Sequence, residues 1–462
     1  MSPAADLGAL AERALEHAGG DAQALAVRER SLSWRFANAT PTQATGLDEV
    51  EVTVLCVRDG HTGAAATTRT EEDALRNAAR RAAGAAEATA RAAGRPGDYP
   101  GVGTPAGGRP HAGHDPVTAR LDPAAAAGAV RAAIGAAGAA RASAAGLWSA
   151  GEVRRSLRAT SGAALEDAVT DAYLKVVATA PSGRTGYAAR AAVAAGGIDP
   201  TAVGGEAAAR LDGPDPVAVP AGELPVVLGP DAVADLLHFL GFLAFNGQAY
   251  AQERSALSGR LGQQVAAPAI SLSDSVRFPG TLPRAWDPEG TPKAPIPLIQ
   301  DGVAHRVVHD RRSAAEAGGG AASTGHATAP GGGPAGPVPV NLVLVGGGAG
   351  DVAELAAPIR RGLFVTRLWY VNAVHEKETL LTGMTRDGTF LIEDGEISRP
   401  ARDVRFTDSA LRILSATEAL TARARLVGLT EFYGRRDAIG AVCPALRAQG
   451  FRVTGSKPGW TV

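Results

Sequence analysis

Residues Gly229–Ser258 read GPDAVADLLHFLGFLAFNGQAYAQERSALS. The first half of this stretch is apolar and predicts a helix over 230–247, with Asp231 as its N-terminal cap. One histidine, His238, lies in the middle of the helix, and a polar segment follows. If the chain hydrolyses its substrate with a metal ion, this helix is where the metal-binding histidines are expected.

Length and composition limit the proteins to which such a helix can belong. The chain has 462 residues, which is enough for two substantial hydrophobic cores. Hydrophobic residues make up 45% and charged residues 20%, as in folded globular proteins. The formal net charge of −1 gives no electrostatic reason to expect nucleic acid or an anionic membrane as a partner.

The cysteines and the N-terminus indicate a cytoplasmic protein without disulfide bonds. Cys56 and Cys443 are the two cysteines, and neither lies in a CxxC motif or a Cys/His cluster. The first twenty residues lack the basic and apolar regions of a signal peptide. No uninterrupted apolar run reaches about 18 residues, so no membrane span is expected.

Residues 1–212 mix helices with alternating strands, which predicts an α+β domain containing an antiparallel sheet. Asp59–Gly60 and Ser161–Gly162 are the predicted turns between strands. The predicted strands are Ala24–Asn38, Glu49–Val57, His61–Thr70 and two within 147–180, and the predicted helices are Leu7–Leu15, 71–93, Asp122–Ser143 and Asp199–Leu211.

The segment Asp212–Pro216, DGPDP, is the predicted boundary to a second, strand-rich domain over 213–462. Within that domain, residues 318–336 are rich in glycine and predict a flexible surface excursion. The other predicted features are hairpin turns at Asp301–Gly302, Asp387–Gly388 and Asp394–Gly395 and an amphipathic helix over Asp408–Ala422.

Two pairs of histidines outside the helix resemble metal ligands by spacing. His111 and His114 lie in a loop rich in proline and glycine, with no third ligand nearby, and we expect them to be solvated. His305 and His309 are four residues apart, and we expect them to be exposed on a strand. The glycine run before Asp351 lacks the third glycine of a dinucleotide fingerprint, and Asp351 is predicted to cap a helix over 352–361.

Four segments carry a resemblance to the TldD/PmbA (TldE) family of bacterial and archaeal peptidase subunits. They are PVVLGPDAVADLLHFL, GLFVTRLWY at Gly362–Tyr370, TGMTRDGTFLIEDGEI at Thr382–Ile397 and the terminal CPALRAQGFRVTGS. In one class of this family, an HExxxH helix and a distant cysteine hold zinc. The other class, TldE or PmbA, keeps the fold without these ligands and pairs with the first class.

The chain resembles the class without metal. Aligned on Gly241, the motif places Leu237 and Phe242 at the two histidine positions and His238 at the glutamate. Leu236–Gly247 contains one histidine and no carboxylate, so two zinc-binding histidines are absent in any register. We expect His238 to be a packing residue held by a neighbour, with a contact to substrate as the alternative.

The resemblance implies a subunit that is not catalytic and holds no metal or other cofactor. Zinc is expected in a TldD-like partner chain, and the two chains together would act on peptides. The candidates for a peptide groove are His238, Asn246, Arg386 and Asp387. Two alternatives stay open: a hydrolase with a site of its own, for which His305, His309 and Arg386–Asp387 are the polar candidates, and a peptide-binding protein without a peptidase role.

Overall fold

Three β-sheets form the framework of the chain, which a computed structural model describes over residues 6–103, 108–429 and 435–456. The helices are α1 Leu7–Glu16, α2 Glu72–Ala93, α3 Pro123–Ala139, α4 Pro200–Ala209, α5 Pro230–Leu243, α6 Gly247–Ala251, α7 Arg311–Ala317, α8 Val352–Ala356 and α9 Ala410–Ser415. The strands are β1 Asp21–Ala37, β2 Thr40–Arg58, β3 His61–Thr67, β4 Ser143–Ala159, β5 Ala164–Thr179, β6 Thr185–Ala192, β7 Gly222–Leu228, β8 Leu272–Asp274, β9 Ile296–Gln300, β10 Val303–Ala304, β11 Asn341–Leu344, β12 Arg361–His375, β13 Leu380–Glu393, β14 Glu396–Pro400, β15 Val404–Ser409, β16 Thr417–Leu420, β17 Arg425–Gly428, β18 Gly440–Cys443 and β19 Leu446–Ser456. The predicted α+β class is confirmed.

The first sheet is antiparallel throughout, with the order β3-β2-β1-β4-β5-β6. One face is covered by α1 and α2 at one end and by α3 and α4 at the other. These helices are rich in alanine, so they approach the strands closely. A β-carbon at Gly63 would overlap the backbone of Ala82 and Ala86, which shows how closely α2 lies on β3.

The other two sheets form the C-terminal half. The second sheet has the order β10-β9-β8-β11-β18-β17. The third sheet has the order β12-β7-β19-β15-β13-β14, and β12 also pairs with β13. This extra pairing closes five of its strands into a ring. The largest hydrophobic core lies between these two sheets and includes the apolar side of α5.

The sheets lie on either side of the predicted domain boundary at residue 212. The first sheet ends at Ala192, and the third sheet begins with β7 at Gly222. The division into two independent domains stays a prediction.

Several predictions for the C-terminal half are wrong, beginning with the helix over Asp408–Ala422. No continuous helix spans Asp408–Ala422, because this segment forms the end of β15, then α9 and β16. The side chain of Ser409 caps the short helix by accepting a hydrogen bond from the Arg412 N–H at 3.2 Å. Both flanking strands pair with β19, so the pairing of strands overrides the helical pattern of the sequence.

Asp387–Gly388 forms a bulge and not the predicted hairpin turn. β13 runs through both residues, and together they lie opposite the single residue Thr366 of β12. Gly388 has a φ of 135°, and a β-carbon there would lie 2.7 Å from Thr366 Oγ1. The turns at Asp301–Gly302 and Asp394–Gly395 are confirmed, since each joins two antiparallel strands.

The glycine-rich segment 318–336 is not a surface excursion over its whole length. Gly325, His326 and Ala327 are buried, and Lys293 Nζ donates a hydrogen bond to Gly325 O at 2.9 Å. Residues 318–322 are exposed. The flexibility of the segment stays a prediction.

Arg436 joins the C-terminal half to the face of the first sheet opposite the helices α1 to α4. Its side chain is 2% exposed and donates to both carboxylate oxygens of Asp171, at 2.6 and 2.8 Å, and to Ser149 Oγ at 2.9 Å. Its backbone N–H donates to Glu29 Oε2 at 2.7 Å. A β-carbon at Gly151 would overlap this guanidinium, so the glycine leaves the space that Arg436 fills.

We predict that Arg436→Met lowers the free energy of unfolding by about 3–5 kcal/mol, because the buried Asp171 carboxylate loses its charged partner. Denaturant unfolding at neutral pH measures the change. The control is Arg435→Met, because Arg435 forms a half-exposed ion pair with Glu51. Its loss should change stability by less than about 1 kcal/mol. Equal effects of the two substitutions would show that Arg436 does not hold the two halves together.

Candidate functional site

α5 begins at Pro230, one residue before the predicted cap Asp231, and it is shorter than the predicted helix over 230–247. Gly229 is the N-cap, and Pro230 occupies the first helical position, where its missing N–H removes no helical hydrogen bond. Asp231 does not cap the helix, because its carboxylate pairs with Arg425. The helix ends at Leu243 and not at 247, since Asn246 starts α6 by accepting from two backbone N–H groups at 3.0 Å.

The two sides of α5 differ in burial. Leu236, Leu237 and Leu240 are 0% exposed and belong to the largest core, together with Leu363 of β12 and Phe406 of β15. The opposite side is half-buried and consists of Asp235, His238, Phe239 and Phe242. The first and last positions of the aligned zinc motif therefore lie on different sides of the helix.

His238 is surrounded by aromatic rings. Its imidazole lies edge-on to the Phe242 ring, with centroids 5.1 Å apart, and edge-on to Phe239 at 6.1 Å. Within the described part of the chain, no hydrogen bond to either imidazole nitrogen is found. Burial lowers the pKa of His238 below its usual value of 6.5, so the neutral imidazole predominates at neutral pH.

The described residues contain no group of three or more His, Cys, Asp or Glu side chains placed to hold a metal ion. Cys443 is fully buried, and its thiol donates to Pro230 O at 3.3 Å. Burial raises the pKa of this thiol well above its usual range, so the thiolate form needed for metal binding is disfavoured. Pro230 lies about two helical turns before His238, so the Cys443 thiol contacts the N-terminal end of α5, away from His238.

Of the predicted groove residues, Asp387 lies in the bulge of β13, where the first and third sheets meet, and Arg386 directly precedes it. Asp387 is 3% exposed, accepts from Thr185 Oγ1 at 2.6 Å and pairs with Arg367. The Arg367 guanidinium lies over the Tyr187 ring, 4.2 Å from its centroid. The carboxylate of Asp387 is therefore committed to protein partners on both sides of this junction.

Arg386 is more accessible than its neighbour. Its side chain is 49% exposed, and its guanidinium lies 4.9 Å from the centroid of the Trp369 ring. Asp403 lies behind the same bulge, and burial raises the pKa of its carboxyl to about 6. Its carboxylate accepts from Thr389 Oγ1 at 3.1 Å.

Asn246 lies between α5 and α6, apart from both His238 and the bulge of β13. Besides starting α6, its side-chain amide donates to Ala335 O at 2.6 Å, and the residue is 4% exposed. Among the described residues, no hydrogen bond, ion pair or ring contact joins Asn246, His238 and the Arg386–Asp387 pair. The groove role of these four residues stays a prediction.

The prediction that the loop histidines His111 and His114 are solvated is wrong. His111 Nε2 lies 2.8 Å from Asp167 Oδ1, and His114 Nε2 lies 2.8 Å from Glu152 Oε1, so carboxylates of the first sheet hold both rings. His305 is exposed, as predicted, but outside a strand. His309 is 8% exposed, also lies outside a strand, and its Nδ1 is 3.2 Å from Ser313 Oγ.

The sequence reasoning missed two clusters of buried polar groups. In one, Asp274 Oδ1 lies 3.2 Å from His326 Nε2 and 3.8 Å from Lys293 Nζ, and all three side chains are at most 1% exposed. The ion pair with Lys293 and the backbone N–H groups of Val340 and Asn341 support an ionised Asp274, and its pKa is lowered. The three residues are up to 52 positions apart in the sequence, so no local motif indicates the cluster.

The second cluster contains Glu289, which is 0% exposed. Tyr99 OH donates to its Oε1 at 2.9 Å, and the Arg311 N–H donates to its Oε2 at 2.9 Å. Burial, followed by the negative charge of Asp287, raises the pKa of Glu289 above its usual value of 4.5. The one sequence signal was the acidic pair in WDPEG at residues 286–290, within a passage that otherwise reads as irregular.

We predict that Glu289→Gln flattens the dependence of stability on pH. The folded chain holds the Glu289 proton more tightly than the unfolded chain does. The contribution of Glu289 to the free energy of unfolding is therefore fully present below the pKa of the unfolded chain, near 4.5. It is lost as the pH rises through the raised pKa of the folded chain. The amide oxygen of the substituted side chain keeps one neutral acceptor, for either Tyr99 OH or the Arg311 N–H. Thermal unfolding midpoints of both proteins from about pH 5 to about pH 8 test this.

The control for this experiment is Glu316→Gln at an exposed position of α7. This substitution should leave the slope of midpoint against pH as it is in the unsubstituted chain. Parallel curves for Glu289→Gln and the unsubstituted chain would contradict the assignment of a raised pKa to Glu289.

The solved structures similar to this chain share its fold over nearly the whole length. TldE from Thermococcus kodakarensis is 18% identical with a TM-score of 0.80, covering 97% of this chain and 99% of that chain. A candidate modulator of a DNA gyrase from Thermotoga maritima is 19% identical with a TM-score of 0.81, covering 96% and 99%. A candidate modulator of DNA gyrase from Bacteroides thetaiotaomicron is 18% identical with a TM-score of 0.77, covering 97% and 98%.

Family models match both halves. Residues 22–86 match domain 1 of the PmbA/TldA metallopeptidases, and residues 221–455 match their C-terminal domain. No curated protein sequence matches the chain. None of the helices in the described ranges is both long and apolar enough to cross a membrane. Since the C-terminal match alone spans just over half of the 462 residues, the chain belongs to the PmbA/TldD metallopeptidase family.

Proposed function

We propose that this chain is the TldE-like subunit of a cytoplasmic heteromeric peptidase, without a metal of its own. A TldD-like partner chain would carry the zinc and cleave the peptide. The observation that supports this most directly is the composition of α5 at the aligned zinc motif. Leu237, His238 and Phe242 offer one imidazole where zinc chemistry needs two histidines and a general base.

The burial of these positions supports the same proposal. Leu237 is 0% exposed and is packed in the core, so the first ligand position has become part of the hydrophobic interior. Phe242 packs its ring against His238. We therefore expect α5 to contribute packing and not metal binding. The fold of the chain is also similar to that of TldE from Thermococcus kodakarensis, at 18% identity, which is consistent with a subunit of this kind.

The contribution of this chain to the complex would be the binding of peptide. His238 lies on the half-buried side of α5, and Arg386 is half exposed, so both side chains could contact an extended substrate. An exposed sheet edge could add the peptide as a further strand through backbone hydrogen bonds. Asp387 and Asn246 would act indirectly, since their side chains are engaged by Arg367 and by Ala335.

The pairing experiment measures zinc and peptidase activity for this chain alone, the TldD-like chain alone and the two expressed together. We expect this chain alone to hold no stoichiometric zinc and to cleave nothing, and the co-expressed pair to co-purify and cleave peptides. A partner whose motif glutamate is replaced by glutamine should form an inactive pair. Stoichiometric zinc with activity in this chain alone would refute the proposal, as would a failure of the two chains to associate.

A second prediction concerns the role of His238 in the active pair. His238→Ala should raise KM by about threefold to tenfold and leave kcat within about twofold, because a residue that binds substrate without reacting acts mainly on KM. The control is Phe239→Leu, which changes a neighbouring ring without removing the imidazole. A fall in kcat of about hundredfold would instead indicate that His238 takes part in the reaction itself.

A further inference from the structure

A cleft of about 760 Å³ lies between the first and second sheets. On one side it is lined by the end of β6, at Ala191 and Ala192, and on the other by Leu426 of β17. The turn 276–283 and the loop segment 109–112 complete the walls. The volume lies within the range of pockets that enclose small organic ligands or a few peptide residues.

The charged residues of this cleft are all basic among the lining residues that the structure describes. Arg109 and Arg277 are exposed, and neither has an ion pair or hydrogen bond within the described ranges. Two other basic groups in the wall already have partners, since Arg425 pairs with Asp231 and His111 contacts Asp167. Two guanidiniums in the lining therefore have no partner among the described residues, and Arg109 also lines a neighbouring cleft that contains the carboxylates of Glu152 and Asp167.

The remaining lining is mostly apolar. Phe278 is a large aromatic side chain that stays 40% exposed at the rim, next to Arg277. Val276 and Val442 line the same cleft. An inorganic anion would use the guanidiniums and leave these surfaces in water. The lining therefore fits a ligand that combines one negative group with an apolar body.

Two strand edges meet at the cleft. β6 is the last strand of the first sheet, and β17 is the last strand of the second sheet, so both are edge strands. The two edges face each other, since the Arg425 guanidinium of β17 donates to Ala189 O of β6 at 3.4 Å. A ligand in the cleft would therefore lie along the junction of the two sheets.

We propose that this cleft binds the C-terminal end of an extended peptide, with Arg109 and Arg277 donating to the α-carboxylate and Phe278 contacting an apolar side chain. A guanidinium donates two parallel hydrogen bonds to a carboxylate, which suits a terminal carboxylate better than a backbone amide. The assignment of peptides as the ligand class rests on the proposed peptidase function. The cleft would select peptides that end in an apolar residue with a free carboxylate.

The test measures binding to the isolated chain by calorimetry. The probe is the peptide acetyl-Ala-Ala-Leu-Phe with a free carboxylate, and its matched control is the same peptide with a C-terminal amide. We expect the acid to bind and the amide to bind at least about tenfold more weakly, because it loses charge-assisted hydrogen bonds. Equal affinities of acid and amide would overturn the proposal, as would no binding of the acid at millimolar concentration.

Three variants and a control locate the site. Arg277→Gln and Arg109→Gln should each weaken binding of the acid by about tenfold, and Ala424→Trp should abolish it by filling the cleft. Arg131→Gln, at an exposed arginine of α3, should bind as the unsubstituted chain does. Unchanged affinity in all three cleft variants, with unchanged melting temperatures, would show that the peptide binds elsewhere.

Competition with inorganic phosphate separates a peptide site from a simple anion site. Phosphate should displace the peptide only at concentrations far above the peptide's own Kd, and displacement at equal concentrations would overturn the proposal. The assays also separate this proposal from the proposed function. An active pair with equal binding of acid and amide overturns the cleft assignment alone, whereas selective binding by a chain that never forms an active pair overturns the peptidase role alone.

Discussion

The burial of α5 in the C-terminal core is the constraint on which the rest of the structure depends. Leu236, Leu237 and Leu240 are fully removed from water, and each contributes on the order of 2 kcal/mol by burial alone. The second and third sheets pack around this helix. Because the helix lies inside a core, its apolar side must keep its shape whether or not the opposite side performs chemistry.

The polar contacts between the two halves depend on that packed core in turn. Buried charges are costly to desolvate, and they persist where rigid surroundings place a partner at hydrogen-bond distance. Arg436 with Asp171 and the Arg367–Asp387–Thr185 group both join the C-terminal half to the first sheet. Tyr99 and Glu289 form a third link. These contacts fix orientation, since each needs directional hydrogen bonds that the apolar core alone does not require.

The sequence predicted local structure best where the pattern and the tertiary pairing agree. The strands of the first sheet, the caps at Asp122 and Asp351 and the turn at Asp394–Gly395 follow from alternation and turn chemistry, and the structure has all of them. The helix predicted over Asp408–Ala422 failed because its first residues pair with β13 and residues 417–420 pair with β19, which leaves only Ala410–Ser415 helical. The turn predicted at Asp387 failed for a related reason, since the same left-handed backbone serves a turn or a bulge.

The candidate site shows a different limit. The aligned motif at Leu237, His238 and Phe242 could be located from sequence, because its residues lie within one and a half turns of a helix. The glutamate near Tyr99 and the histidine near Asp274 could not, because their partners come from segments 190 and 52 residues away. Neither contact has a local signal, and each follows only once the sheets bring the segments together.

The burial of Leu237 also makes a metal ligand at this position of α5 costly. A histidine at this position would bring an imidazole into a core of apolar side chains, which offer it no hydrogen-bond partner. An unpaired buried polar group costs about 1–3 kcal/mol, and the new side chain would also have to replace leucine in a closely packed site. Leucine at this position is therefore more stabilising than histidine. Within the described part of the chain, the half-buried side of α5 and the cleft between the first and second sheets stay accessible to ligands, and Arg109 and Arg277 are exposed in that cleft.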